Sequence, residues 1–168
     1  MTPSPAAQKL YLDAFPQNER RDLKAWVALA DAEGPFRIQE WQWQGQFAGF
    51  LTHWTFPGFT YVEHFAAMPE LRGQGIGGKW LDNFVAHTAH PVVLEVEPAE
   101  TPMAQRRIVF YQRHGFHLSA IPYVQPPYRK EDQPLPLCLM TTDNQYLTAH
   151  ADAVIRQIHS AVYGVESR

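Results

Sequence analysis

The residues of this sequence best suited to chemistry surround one glycine run, Arg72-Gly73-Gln74-Gly75-Ile76-Gly77-Gly78-Lys79, which opens a helical apolar stripe. Glycines just before a helix let backbone N–H groups approach phosphate oxygens and hold them at the positive end of the helix. Two well-known phosphate loops share part of this pattern. The triphosphate loop G-x-x-x-x-G-K-[ST] is matched from Gly73 through Lys79, but Trp80 stands where a hydroxyl must ligate magnesium. The dinucleotide pattern G-x-G-x-x-G is matched by Gly73, Gly75 and Gly78, with Glu95 or Glu97 spaced for a ribose contact. Its context differs, because that fold puts the glycines directly after the first strand of a repeated βαβ unit. Here Met68 to Arg72 intervenes, and antiparallel strands come first.

Acid–base groups lie on either side of the run. In the segment Phe59 to Ala67 side chains alternate, with Tyr61, Glu63 and Phe65 on one face and Val62, His64 and Ala66 on the other. Glu63 and His64 could then share a site only through a bulge. Glu95 and Glu97 share the polar face of a later strand, opposite Val92, Leu94 and Val96. Tyr111 recurs with Ala104 and Ile108 on one side of a helix, and its ordinary pKa keeps it protonated at neutral pH. The histidines show no H-E-x-x-H spacing, so no metal is expected.

The elements that must position these groups follow from periodicity. Residues 6 to 14 and 18 to 32 predict two helices separated by Pro16. Phe36 to Trp43, Phe47 to Thr55 and Phe59 to Ala67 predict an antiparallel meander, turning at Gln44-Gly45-Gln46 and Pro57-Gly58. The helix after the glycine run ends before His90-Pro91, and Val92 to Glu97 is a strand. Residues 101 to 114 form a helix with Gly115 as its left-handed cap, and Leu137 to Thr142 is a late strand after a proline-rich loop that could border a site. Leu147, Ala151, Val154, Ile155, Ile158 and Val162 mark a C-terminal helix that covers the core or meets a second subunit.

The run Arg72, Gly75, Gly77 fits [RQ]-x-x-G-x-[GA], and Tyr111-Gln112-Arg113-His114-Gly115-Phe116 fits Y-x-x-x-G-F. With this order of elements the chain resembles the GNAT superfamily of N-acetyltransferases over roughly residues 6 to 142. The resemblance implies an α/β domain with a mixed, mostly antiparallel sheet, to which the helix at about 144–163 is an addition. It implies acetyl-CoA as cosubstrate, with Arg72, Gly73, Gln74, Gly75, Ile76, Gly77 and Gly78 at the pyrophosphate and Phe65, Ala66 and Ala67 along the pantetheine. Ala104 occupies the place of an asparagine that contacts the cofactor arm in the superfamily, without its polar side chain.

Acetyl transfer to an amine needs a base for the amine, donors for the thioester oxygen and an acid for the leaving thiolate. By resemblance Tyr111 is the acid, Glu63 the base and the backbone near Phe65 to Ala67 the donor set. Glu95 and Glu97 would line the acceptor pocket, or one of them or a water chain would act as base instead. The competing structural readings are a packed Tyr111 with its hydroxyl bonded to backbone, and a Glu63 paired with an arginine. A non-catalytic acyl-CoA sensor and a nicotinamide-dependent oxidoreductase are the alternatives from other classes.

The bulk numbers narrow the partners. At 168 residues, with 45% apolar and 18% charged, the chain reads as one globular domain spanning 1–168. A net charge of −3 with both signs mixed leaves no basic face for nucleic acid. Cys138 is the only cysteine, which excludes an internal disulfide and fits a reducing compartment. With no leader-like start and no run of eighteen apolar residues, the expectation is a soluble cytoplasmic protein acting on a small-molecule or peptide amine, with a homodimer possible.

Overall fold

The computed structural model describes residues 1–165. Two helices, Pro5–Ala14 (α1) and Leu23–Asp31 (α2), precede the sheet. Ser4 starts α1 by accepting the Ala7 N–H at 3.2 Å, and Pro5 stands where the missing N–H costs nothing. The second helix begins later than its expected start at 18. Gln17–Glu19 make a single 3-10 turn and Arg20 is extended. The interruption has a purpose: the Arg21 N–H donates to the Tyr11 hydroxyl at 2.9 Å while its guanidinium reaches Glu63.

Phe36–Trp43 (β1), Gln46–Phe56 (β2) and Phe59–Ala67 (β3) form the expected meander. Gln44 and Gly45 both take positive φ, 52° and 76°, which matches a two-residue hairpin to the strand twist. Helix Ile76–Ala86 (α3) then crosses to Val92–Val96 (β4), which pairs in parallel with β3. Helix Pro102–Arg113 (α4) leads to His117–Leu118 (β5), Tyr123–Gln125 (β6) and Leu135–Thr141 (β7). The strand order is β1-β2-β3-β4-β7-β5, with β6 also on β7, and every pairing except β3 with β4 is antiparallel. Neither β5 nor β6 was expected, because two or three residues are too few to show an alternation.

The sheet has an apolar layer on each face. On one, Tyr11, Trp26, Phe50 and Tyr61 pack with Leu147, Val154 and Ile158 of helix Asn144–Tyr163 (α5), so the C-terminal helix covers the core. On the other, Leu51, Val62 and Leu94 pack with Leu81 and Phe84 of α3 and Ile108 of α4. No described helix is long and apolar enough to cross a membrane.

Two irregularities make room for a site. Thr52 pairs with His64 and His53 with Val62, so Glu63 is an extra residue in β3. Such a bulge turns two successive side chains to the same face. The strict alternation expected for β3 is therefore corrected. Glu63 and His64 both point to the α1 face, where Tyr61 and Ala66 also lie, while Val62 and Phe65 pack toward α3 and α4. The second irregularity is a splay: β3 and β4 pair only from Thr60↔Val92 to Val62↔Leu94.

Candidate active site

The first cleft, about 620 Å³, lies between the glycine loop, the end of β3 and α4. Gly75, at φ 75°, is the N-cap of α3 and no side chain caps that helix. The first backbone donor to turn back is Lys79, to the Gly75 carbonyl at 3.2 Å, so the N–H groups of Ile76 to Gly78 remain open donors at the positive helix end. Gly78 is required for a second reason. A Cβ there would lie 2.5 Å from the imidazole of His114, which accordingly packs straight onto the α3 backbone. His114 is oriented by Asp82, with Nδ1 at 2.7 Å from the carboxylate.

The walls of this cleft are cationic. Arg72 comes from the loop, and Arg106, Arg107 and Arg113 from α4, with no carboxylate among the lining residues. Phe65, Ala67, Gly73, Gly75, Gly77 and Gly78 line it as the sequence suggests. Four other expected cofactor residues do not present side chains to it. Gln74 is exposed and donates to the Glu70 carbonyl at 3.0 Å, Ile76 and Ala66 are turned into the core, and Ala104 is buried with its N–H on Thr101.

Tyr111 stands at the inner end of this cleft. Burial pushes its phenol up to about 12, against a downward pull from Arg107, so it is protonated at any working pH. No described residue hydrogen-bonds its hydroxyl, and the alternative of a phenol anchored to backbone is absent.

A narrower second cleft, about 110 Å³, opens on the opposite face. Glu19, Glu63, Glu95 and Glu97 line it, with Phe15, His64, Tyr128 and Leu137. Arg107 lines both clefts, so the two approach each other where β3 and β4 part.

The two central carboxylates differ in kind. Glu63 is saturated: Oε2 takes Arg21 and the Tyr128 hydroxyl (2.7 Å), and Oε1 takes the Trp54 indole N–H at 2.7 Å. Burial, the largest single influence, opposes its charge, but Arg21, His64 and the hydrogen bonds from Tyr128 and Trp54 together outweigh it, and the carboxyl titrates below its ordinary range. His64 is pushed down by burial against the pull of Glu63, and its Nε2 lies 2.9 Å from the Glu19 carbonyl. Among the described residues no cation is in contact with Glu95. Burial raises it to about 7, although hydrogen bonds from Tyr163 and Tyr61 pull it back. Glu97 lies just past the end of β4. Among the described residues no group of acidic, histidine or cysteine side chains is arranged to hold a metal.

The sequence places Glu19-Arg20-Arg21 near the acceptor pocket, but it does not assign roles to several residues in or beneath these clefts. Arg106 and Arg113 recur at i and i+7 on α4, a spacing that signals one face but not what it faces. Arg21, Tyr128 and Tyr163 come from distant parts of the chain, and no local pattern joins them to Glu63 or Glu95.

An open helix N-terminus thus faces a cleft of arginines in a splayed mixed sheet, beside a second, acidic cleft. Comparison with known proteins gives the family. The acetyltransferase (GNAT) family model matches residues 4–116. A solved structure of a GNAT-family protein from Bacteroides thetaiotaomicron is 38% identical, with a TM-score of 0.91 over 96% of this chain and 92% of that one. YjbC of Bacillus subtilis is 35% identical over 71 residues, 40% of this chain, and the match spans 36% of that protein's length. The fold also matches a GNAT acetyltransferase from Elizabethkingia anophelis solved with acetyl-CoA bound, at 16% identity and a TM-score of 0.59 over 84% and 92% of the two chains. The chain belongs to the GNAT acetyltransferase family.

Proposed function

We propose that the chain transfers an acetyl group from acetyl-CoA directly to an amine, with no metal. The observation that carries this reading is the opposition of the clefts: one cationic with open helix N–H donors, the other acidic, meeting at Arg107 beside the splay. The first suits pyrophosphate, which gains from both arginine and a helix N-terminus. The second suits an amine that arrives as a cation and must lose a proton.

In this reading the pantetheine runs along the unpaired end of β3, near Phe65 to Ala67, and backbone N–H groups there polarise the thioester oxygen. Tyr111, neutral and with an uncommitted hydroxyl, protonates the leaving thiolate. The pairing of Glu63 with Arg21 favours a structural role for that carboxylate, a saturated anion being a weak proton acceptor. The raised affinity of Glu95 for protons favours it as the base, since a group titrating near the working pH exchanges protons best. Glu97 and Glu19 lie along the same cleft and favour a cationic acceptor.

Thermal unfolding with acetyl-CoA, CoA, ATP and NADH, followed by thiol release with amine acceptors, tests the proposal. A ligand at about 100 times its Kd stabilises the fold by about 2.7 kcal/mol. Stabilisation by acetyl-CoA and CoA alone is expected. In Tyr111→Phe the turnover falls on the order of 100-fold while that stabilisation persists. Stabilisation by NADH or ATP and none by CoA overturns the reading.

A further inference from the structure

The last turn of α5 lies beyond residues 4–116, the span matched by the family model, yet its Tyr163 bonds Glu95 and Gln125, which line the second cleft. Tyr163 donates its hydroxyl to Glu95 Oε1 at 2.5 Å, and Gln125 Nε2 donates to that hydroxyl at 3.0 Å. An amide N–H can only donate, so Gln125 occupies a lone pair of the phenol oxygen and leaves the phenol proton for the carboxylate. Tyr61, from β3, donates to the same Oε1. One oxygen of Glu95 is thus held from two elements. The other, Oε2, is buried and has no hydrogen-bond partner of good geometry among the described residues.

An unpaired carboxylate oxygen in the interior is costly and asks for an explanation. We propose that α5 is a working part of the active site: Tyr163 is a positioning residue that fixes the Glu95 carboxylate through Oε1, so that this group, on the wall of the second cleft, takes the proton from the acceptor amine. This rests on the acetyl-transfer reading above. The ammonium first sheds one proton to solvent; as the neutral amine nitrogen then bonds the acetyl carbonyl carbon, one N–H proton passes to Glu95. The C–S bond breaks and Tyr111 protonates the thiolate. The proton on Glu95 returns to the Tyr111 phenolate through solvent, leaving the amide and CoA with both side chains restored.

The groups that face Glu95 make its titration readable. Tyr61 and Glu63 come from β3, Tyr123 from β6, Tyr128 from the following loop and Tyr163 from α5. The Tyr123 hydroxyl is itself buried and faces Glu95 closely enough to favour its charged form, although it meets strict hydrogen-bond geometry with no described residue. None of these groups is a cation, so the hydroxyl donors are what favours the charged form. Glu63 acts the other way, as a second negative charge held in place by Arg21.

The test is a pH titration of protein labelled with 13C at the glutamate carboxyl, with Glu95→Gln identifying the resonance. It is paired with thiol release from acetyl-CoA using n-butylamine, 1,4-diaminobutane and alanine amide. Removing a donor from a carboxylate raises its pKa. In Tyr163→Phe the Glu95 midpoint is therefore expected to rise by about one pH unit, and the acid limb of kcat/KM to move with it. Gln125→Met, which frees the Tyr163 hydroxyl to turn away, moves both in the same direction by less and serves if Tyr163→Phe does not fold. An unmoved midpoint in both variants, or a wild-type Glu95 titrating in the ordinary carboxylate range, overturns the assignment to Tyr163. A midpoint that moves while the acid limb stays overturns the role of Glu95 as proton acceptor. Wild-type protein that releases no thiol with any of these amines overturns the transfer step itself, separately from the titration.

Discussion

Replacing Arg21 by Met isolates the electrostatics beneath the acidic cleft. The guanidinium pairs with Glu63, donates to the Val162 carbonyl at 2.7 Å and lies over the Tyr128 ring at 5.1 Å. The Glu63 side chain is fully buried and Arg21 retains only 14% exposure, so water cannot replace the lost partner. Methionine keeps much of the stem's packing and removes the charge. A buried ion pair broken from one side costs about 3–5 kcal/mol, because the remaining charge is left uncompensated. For a chain of this size that corresponds to a fall in melting temperature of roughly 6–20 °C.

The pH dependence separates this cause from lost packing. In the wild type Glu63 titrates below its ordinary range, so it contributes stability above that range and the contribution disappears as pH falls. Without Arg21, burial dominates and the folded-state pKa rises above the unfolded one. The deficit is then greatest at high pH and shrinks as acid protonates Glu63. Thermal melts of Arg21→Met and of Arg21→Met with Glu63→Gln, from pH 5 to 8, measure both effects. The double variant is expected to recover a substantial part of the loss at pH 8. A deficit below about 1 kcal/mol, or one independent of pH and unrelieved by Glu63→Gln, would refute the reasoning.

Two further stability measurements probe the clefts. Glu95 titrates at about 7 against an ordinary 4.5, so its charge opposes folding progressively as pH rises through that interval, by about 3 kcal/mol at most. Glu95→Gln is therefore expected to raise the melting temperature at pH 8 and to change it little at pH 4, while transfer is lost; equal effects at both pH values would contradict the raised affinity. Gly78→Ala puts a methyl into the His114 imidazole and is expected to cost about 1–3 kcal/mol in urea unfolding and to weaken acetyl-CoA binding, whereas a neutral result would mean that His114 moves freely.

What the sequence made legible was local. The glycine loop and the Tyr111 to Phe116 motif each lie within one strand-to-helix or helix-to-strand passage, where a few consecutive residues determine backbone conformation and a positive φ demands glycine. The two clefts depend instead on residues brought together from afar. Glu63 was singled out by its type and place, but its meaning comes from Arg21, 42 residues earlier, and Tyr128, 65 residues later. An alternation rule cannot anticipate the extra residue in β3, since a bulge shows itself only in the pairing with β2. That single insertion turns His64 beside Glu63 and moves Phe65 to the opposite cleft.

The C-terminal helix makes the same point about function. Its periodicity announced a helix with a buried face, and Leu147, Val154 and Ile158 indeed pack on the sheet. Nothing in that periodicity distinguishes Tyr163 from a residue that merely ends the stripe, yet its hydroxyl reaches a carboxylate 68 positions away. The carboxylates of the acidic cleft are consequently set apart by their neighbours. An arginine from the stretch before α2 keeps Glu63 an anion, while tyrosines from β3 and α5 hold Glu95 with no counter-ion among the described residues, so one remains charged and the other is free to exchange its proton.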